Sequence, residues 1–398
     1  MKNLKKIFAV VLAVLMLSSV LTACGTGESD ELTVGFIFLH DEQSTYDKNF
    51  MEAAKKACEE MGVKYVQRVG VPERKECYNA AVDLIETDGC DIIFADSFGH
   101  EPFLIDAAKE YPEVQFCHAT GTMAHTTTEV NNFHNAFASI YEGRYLAGIA
   151  AGMKLNQMIE EGKITAEQAK MGYVGAFPFA EVKSGYTSFY LGAKSVCPTV
   201  TMDVKFTNSW YDETKEKEAA KALISGGCVL ISQHADSMGA PTACQDAKVP
   251  NVSYNGSTID ACPDTFIVSS RIDWTPYFKY MIECVRDGKE IAKDWTGTIA
   301  TGSVVLTDIN DKVAAPGTKE AIADAKAKLQ AGTLHVFDTA NFTVGGEKLT
   351  SYMADVDTDD KYTPDTEAIE NGVLYESKHR SAPYFALDID GINLLDEA

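Results

Sequence analysis

From residue 33 onward the chain alternates short, dense apolar runs with longer segments whose apolar residues recur every three or four positions. Residues 33–39 form a run suited to a strand buried on both faces. Phe50, Ala53, Ala54, Ala57, Cys58 and Met61 then keep helical spacing, and Gly62 stops that helix. Strands are predicted over 64–69, 91–95 and 114–117, with helices around Ala80 to Ile85 and over 103–110 between them. This βαβαβαβ order predicts a doubly wound parallel sheet. The pattern restarts with a helix over 142–153. Strands at 172–176, 202–206 and 228–232 alternate with helices at 182–194 and 214–225, and short strands follow at 252–254 and 266–268. Two α/β blocks of similar plan therefore follow one another, which suits a chain of 398 residues. An Ala/Lys-rich helix is predicted over 314–329 and a strand over 333–337. Beyond them the chain is turn-rich and acidic. Asp355, Asp357, Asp359 and Asp360 lie close together but lack the sixth-position Gly and twelfth-position Glu of an EF-hand, so the run reads as a solvated loop.

The first 23 residues read as a processing segment rather than as part of the fold. Lys2, Lys5 and Lys6 precede an apolar run over 7–20, too short to favour a retained membrane span. Leu21-Thr22-Ala23-Cys24, followed by Gly25, has the pattern of a bacterial lipobox. Small residues there fit the peptidase, and the Cys24 thiol carries the lipid. The alternative is an ordinary signal peptide with an incidental cysteine. Residues 25–31 read as a polar tether. The net charge of −23 repels phosphate, which argues against nucleic-acid binding and against a polybasic attraction to anionic lipid. Of the ten cysteines, nine remain besides Cys24, without zinc spacing. They read mostly as small buried thiols, with one or two disulfides as the alternative.

In open α/β sheets ligands bind beyond the carboxyl ends of the strands. The segments there are His40, Asp41, Ser44, Tyr46 and Asp47; then Asp96-Ser97-Phe98-Gly99-His100-Glu101; then Phe177-Pro178-Phe179-Ala180-Glu181. Asn208-Ser209-Trp210-Tyr211-Asp212, Gln233-His234-Ala235-Asp236-Ser237, Tyr254-Asn255-Gly256-Ser257 and Asp273-Trp274 follow. Each offers an aromatic ring, a short polar side chain or both. A planar ligand wants rings for stacking and carboxyls or amides at its edge. Core packing is the competing reading of any single aromatic. Trp210 and Phe98 stand out because polar turn residues surround them. Asp212 reads instead as the N-cap of the next helix. No GxSxG elbow, Walker loop or GxGxxG is present, and the histidines do not pair at metal spacing. The carboxylate pairs Asp41/Asp47 and Glu181/Asp236 are not singled out for acid–base work, so an enzyme is not the favoured reading and no cofactor is expected.

Six segments in order resemble one family. They are Asp96-Ser-Phe-Gly99, Tyr111-Pro-Glu-Val114, Tyr141-Glu-Gly-Arg-Tyr-Leu-Ala-Gly148, Phe177-Pro-Phe-Ala-Glu-Val182, Asn208-Ser-Trp-Tyr-Asp212 with Lys215-Glu216, and Gln233-His-Ala-Asp-Ser237. Together they resemble the basic membrane protein family of ABC-transporter substrate-binding lipoproteins, relatives of the purine nucleoside receptor. The resemblance runs from about residue 32 to 300 and more loosely to 345. The Ser-Trp-aromatic-Asp and Gln-His-x-Asp-Ser elements are similar to a branch associated with purine bases such as adenine. The loop 255–260 lacks the acidic residues of nucleoside-binding members, Arg271-Ile-Asp-Trp274 stands where a Lys often follows the strand, and the branch's Trp near Ser44 is missing, leaving Tyr46 to supply a ring.

The resemblance implies a type I periplasmic-binding fold: two doubly wound Rossmann-like lobes joined by three crossovers, with the ligand between them. It places 32–136 and 266–293 in the first lobe, 137–265 and 294–345 in the second, and 346–398 in a C-terminal extension. The implied ligand residues are Tyr46, Ser97, Phe98, Phe177, Glu181, Trp210, His234, Asp236, Asn255 and Trp274. Phe98 or Tyr46 would sandwich the ring against Trp210, while Asp236, Glu181 and Asn255 read its edge. The implied protein is a monomeric receptor at the extracytoplasmic face of the cell membrane, held by its lipid and delivering a purine base or nucleoside to ABC permease subunits. The rival readings are a receptor for another flat heterocycle or small metabolite, a purine-processing enzyme, and a ligand-sensing or adhesive surface protein.

Overall fold

The computed structural model describes residues 31–356 and 366–395. The segment that holds Cys24, and the acidic run at 357–360, lie outside the described residues.

The first block forms the sheet the alternation predicts. Strands β1 (Thr33–Ile37), β2 (Lys64–Arg68), β3 (Ile92–Ala95), β4 (Gln115–Ala119) and β5 (Phe133–Ala138) pair in parallel, and β11 (Asp294–Gly297) joins the edge, giving the order β11-β5-β4-β3-β1-β2. All five residues of β1 are buried, as a strand covered on both faces requires. The covering helices include α1 (Thr45–Met61), α2 (Lys75–Glu86) and α3 (Glu101–Glu110). The second sheet runs β12-β10-β9-β8-β6-β7-β13. Its strands are β6 (Lys170–Gly175), β7 (Thr201–Phe206), β8 (Leu230–His234), β9 (Asn251–Tyr254), β10 (Phe266–Ile272), β12 (Val304–Leu306) and β13 (Ile392–Leu394), and β12 alone is antiparallel.

Helices α4 (Ile140–Glu160) and α5 (Ala180–Val196) make the main helix–helix contact of the second lobe. Glycines allow it. A Cβ on Gly148 would sit 2.0 Å from the Phe189 carbonyl oxygen, and one on Gly192 would sit 2.0 Å from that of Tyr145. The backbones therefore touch, and this contact fixes the N-terminus of α5 beside the cleft.

The chain crosses between the sheets three times: after β5, after β10, and between β11 and β12. The three crossings lie side by side. The Ser139 amide donates to the Gly297 carbonyl at 2.8 Å, Asp273 to Ser303 at 2.7 Å, and Ile299 to the Glu142 carboxyl at 2.8 Å.

The sheet assignments correct the expected boundaries. Residues 266–272 belong to the second lobe, because β10 pairs with β9 and β12. The return to the first lobe comes at Asp273 and leads into helix α8 (Thr275–Arg286), which packs on α1. Residues 294–297 belong to the first lobe, paired with β5. Residues 333–337 are not a strand. Val336 and Phe337 are buried by side-chain packing, with the Phe337 ring 4.6 Å from Phe385. The helix expected from 314 starts at Thr318, behind Gly317 at φ +81°, and is α9 (Thr318–Gln330).

The C-terminal extension from 346 packs against the rest of the chain. β13 pairs with β7, Asp388 accepts from Lys183 at 2.8 Å, and the Ser381 amide donates to Asp294 of the first lobe at 2.8 Å. The tail thus touches both lobes. All nine cysteines among the described residues are free and buried, and burial pushes the Cys58, Cys90 and Cys228 thiols up to about 12.

Candidate ligand-binding site

The first wall is built from the loops after β1, β3 and β4. Ser44 caps α1: its hydroxyl accepts from the Asp47 amide at 3.2 Å and donates to the Asp47 carboxylate at 2.5 Å. That carboxylate also accepts from the His40 amide at 2.7 Å. Burial pushes Asp47 up, but these bonds from His40 and Ser44 hold it below the usual carboxylate range. The turn so fixed presents Tyr46, whose hydroxyl donates to the Asp96 carbonyl at 2.7 Å. Asp96 is wholly buried and ties the two loops by accepting from the Leu39 amide at 3.2 Å. Glu73 accepts from the Ser97 hydroxyl at 2.6 Å and from the Gly99 amide at 2.7 Å. That clamp holds Phe98 on a single turn with its ring 42% exposed toward the other lobe.

The second wall is braced by a cluster of rings. Phe177 and Phe179 stack at 5.1 Å, and Trp210 meets Phe177 edge-on at 5.1 Å. The Asp236 amide donates to the Trp210 carbonyl at 3.0 Å, which couples the loops after β7 and β8. Asp212 caps helix α6 (Glu213–Ser225), accepting from the Lys215 amide at 3.0 Å, as the sequence predicts.

Behind this wall runs a chain of bonds. Arg144, fully buried, donates to the Tyr173 hydroxyl at 2.9 Å. Tyr173 lies 3.3 Å from Nδ1 of His234, and Nε2 of His234 lies 3.4 Å from the Glu181 carboxyl. Because Tyr173 accepts from Arg144, its proton is free for Nδ1. The ring proton then resides on Nε2 and points at Glu181. Burial lowers the His234 pKa and keeps the imidazole neutral, although Glu181 pulls the other way. The guanidinium is surrounded by rings, about 5 Å from those of Tyr173, Phe189 and Tyr254.

The two walls meet. Phe98 and Phe179 are 5.7 Å apart, His40 and Tyr211 5.4 Å apart, and Thr45 bonds to the Asp236 carbonyl. Between them lies a narrow cavity that opens to solvent. Seven of the ten expected residues line it: Tyr46, Ser97, Phe98, Glu181, Trp210, His234 and Asp236. Burial, with Asp47, Glu216 and Glu181 nearby, pushes the Asp236 carboxyl well above the ordinary carboxylate range. Burial raises Tyr46 as well and keeps it a neutral phenol.

The other three expected residues sit elsewhere. Phe177 stacks on Phe179 and meets Trp210 edge-on without lining the cavity. Asn255, at φ +64°, lies 3.4 Å from the Asp236 carboxyl and supports it. Trp274 is 1% exposed and stacks on Phe50 at 4.4 Å within the first lobe's aromatic core. The cavity wall adds Leu39, His40, Asp47 and Thr120. His40 and Asp47 follow β1, where strand-end logic looks for them. Thr120 follows β4, and no aromatic or charged neighbour marks it. Among the described residues no cluster of His, Cys, Asp or Glu is placed to hold a metal ion, and no helix is long and apolar enough to cross a membrane.

A cavity between two sheets joined by three adjacent crossings is the architecture of a two-lobed solute-binding protein. The chain belongs to the Bmp family, described as ABC transporter substrate-binding protein PnrA-like, whose model matches residues 36–334. A purine-binding protein of Brucella abortus is 32% identical over 335 residues, 80% of this chain and 89% of that protein. A putative ABC transporter glucose-binding protein of Haloferax volcanii is also 32% identical, over 275 residues. That match takes in 67% of this chain and 65% of the Haloferax protein, so the chain spans just under two thirds of that relative. The solved structure of an ABC transporter solute-binding protein from Aeropyrum pernix superposes with a TM-score of 0.64 at 18% identity. It covers 76% of this chain and 92% of that one, which shows the shared fold.

Proposed function

We propose that this chain is the extracytoplasmic receptor of an ABC importer and that it captures a purine base or nucleoside between its lobes. The observation that carries the reading is the composition of the cavity wall. Rings come from both lobes (Tyr46 and Phe98 from one, Trp210 from the other), and the carboxyls of Glu181 and Asp236 stand at the edge. A flat heterocycle satisfies both at once. The anionic Asp47 in the wall disfavours phosphorylated compounds. The kinship to a purine-binding protein supports the same ligand class. The relative named for glucose raises a sugar as the rival, and the rings on both walls favour a planar guest over it.

In this reading the ligand touches both lobes only in the shut state, so its differential affinity drives closure, and the permease recognises the shut form. Cys24, diacylated after cleavage, anchors the monomer to the membrane, and residues 25–31 act as its tether. The protein binds its guest without altering it.

Mass spectrometry of small molecules released from the purified protein tests the ligand. A purine base or nucleoside is expected, unconverted, with a matching rise in melting temperature when it is added back. Recovery of a sugar, or turnover of the purine, would overturn the proposal.

A further inference from the structure

Thr120 has a backbone and a side chain that the fold alone does not explain. Its φ is +66°, in the left-handed region that β-branched residues avoid. Its neighbours hold it there. His118 lies with Nε2 2.7 Å from the Ser97 carbonyl, and the Thr122 and Met123 amides donate to Glu101 at 2.9 and 2.8 Å. Between them, a Cβ on Gly121 would lie 2.3 Å from Glu101, 2.4 Å from Asn135 and 2.5 Å from His118, so the turn cannot relax. Glycine or asparagine would meet the backbone requirement at position 120 with less strain.

The threonine side chain gains nothing inside the protein in return. Thr120 is 4% exposed, its hydroxyl is buried without a hydrogen-bond partner, and it lines the cavity. Three hydroxyl side chains line that cavity. The Tyr46 hydroxyl donates to the Asp96 carbonyl and that of Ser97 to Glu73, so both protons are committed. The Thr120 proton is not. A strained residue with a buried, unspent donor in a cavity wall is a group kept for what the cavity holds.

We propose that Thr120 is a ligand-contacting, specificity-determining residue: its hydroxyl donates to an unprotonated ring nitrogen or carbonyl oxygen of the guest. The assignment rests on the purine reading above and deepens it. The walls otherwise present carboxyls at the ligand edge, so Thr120 selects for a lone pair where they select for N–H groups.

Calorimetric titration of the wild type, Thr120→Val, Thr120→Gly and Thr120→Ser tests this. The probes are adenine, hypoxanthine and their 1-, 3- and 7-deaza analogues, and ligand-free melting temperatures are measured alongside. Thr120→Ser should bind the parent purine within about threefold of wild type, whereas Val and Gly weaken it about tenfold or more. For the deaza analogue that lacks the facing nitrogen, wild type and Thr120→Val should bind alike. Thr120→Gly should melt above wild type without ligand, since it relieves the backbone while losing the donor. Gly also fits the observed φ, so it serves if the Val variant does not fold. Val and Gly variants that bind every purine as wild type does would overturn the assignment. If the wild type binds none of these purines, the purine reading fails by itself. Thr120 is then judged by mass spectrometry on the molecule that co-purifies with wild type: lower retention by Thr120→Gly supports the role, and equal retention overturns it.

Discussion

The carbonyl oxygen of Asp236 accepts two hydrogen bonds from Thr45, one from the amide at 2.9 Å and one from the hydroxyl at 3.2 Å. The bonds run from the start of α1 in the first lobe to the loop after β8 in the second, so they exist only while the lobes are together. Thr45→Val keeps the shape and the amide bond and deletes the hydroxyl bond. Removing one such bond is worth about 0.5–1.5 kcal/mol. Stopped-flow dissociation of the bound guest should therefore quicken by about 2- to 10-fold, with little change in association. An unchanged off-rate would mean that this latch contributes nothing to closure.

Trp210 and Trp274 should respond oppositely to truncation. Trp274 is buried among Phe50, Phe94 and Tyr277, and Trp274→Ala should cost about 3–5 kcal/mol of stability. Trp210 is half-buried at the cavity wall. Trp210→Ala should weaken ligand binding by about 10- to 100-fold and lower the melting temperature far less. Parallel calorimetry and thermal melts separate the two, and equal loss of stability in both variants would make Trp210 a core residue.

Acid should destabilise the first lobe. Burial lowers His100 and His118 to about 4, although bonds to the Val71 and Ser97 carbonyls oppose it. The unfolded chain protonates these rings near 6.5, so their contribution is intact above that pH and is lost as pH falls from about 6.5 toward 4. The loss is on the order of 3 kcal/mol for each ring by pH 4. Urea melts at pH 7 and pH 5 should show it, and His118→Gln should flatten the profile over that window.

Glu376 should respond in the other direction. It is 1% exposed. Burial, with Glu181 and Glu142 nearby, raises it to about 8 against opposition from Ser184. A raised carboxyl favours the folded state below the unfolded value near 4.5 and loses that advantage as pH rises toward 8. Glu376→Gln removes the proton dependence at nearly constant shape. The variant should melt a few °C above wild type at pH 8 and much closer to it at pH 5. A constant difference across that range would exclude titration of Glu376 as the cause.

Much of this was legible in the sequence because parallel strands buried on both faces leave dense apolar runs, as in β1 and β3. The loops that follow such runs face the cleft, so Phe98, Trp210 and Asp236 could be named from their position alone. The same rule misplaced Trp274, which also follows a strand: the chain changes lobe at Asp273 and carries the ring into a core. Sheet membership was equally hidden, since β10 and β11 look alike whichever sheet receives them. Thr120 escaped because the left-handed backbone comes from contacts around Gly121 and not from the residue's own preference.

Strand β13 has a consequence for how the molecule is made. Ile392–Leu394 lies beside Met202–Val204, with Asn393 bonded to Asp203 at 3.0 Å across 190 positions of sequence, so an outer flank of the second sheet waits for a strand made long after it. Until those residues arrive, β7 offers bare peptide groups to any neighbouring molecule. A stop or a proteolytic nick between Leu306 and Ile392 should therefore show itself first as self-association, before any deficit in recognition is measurable.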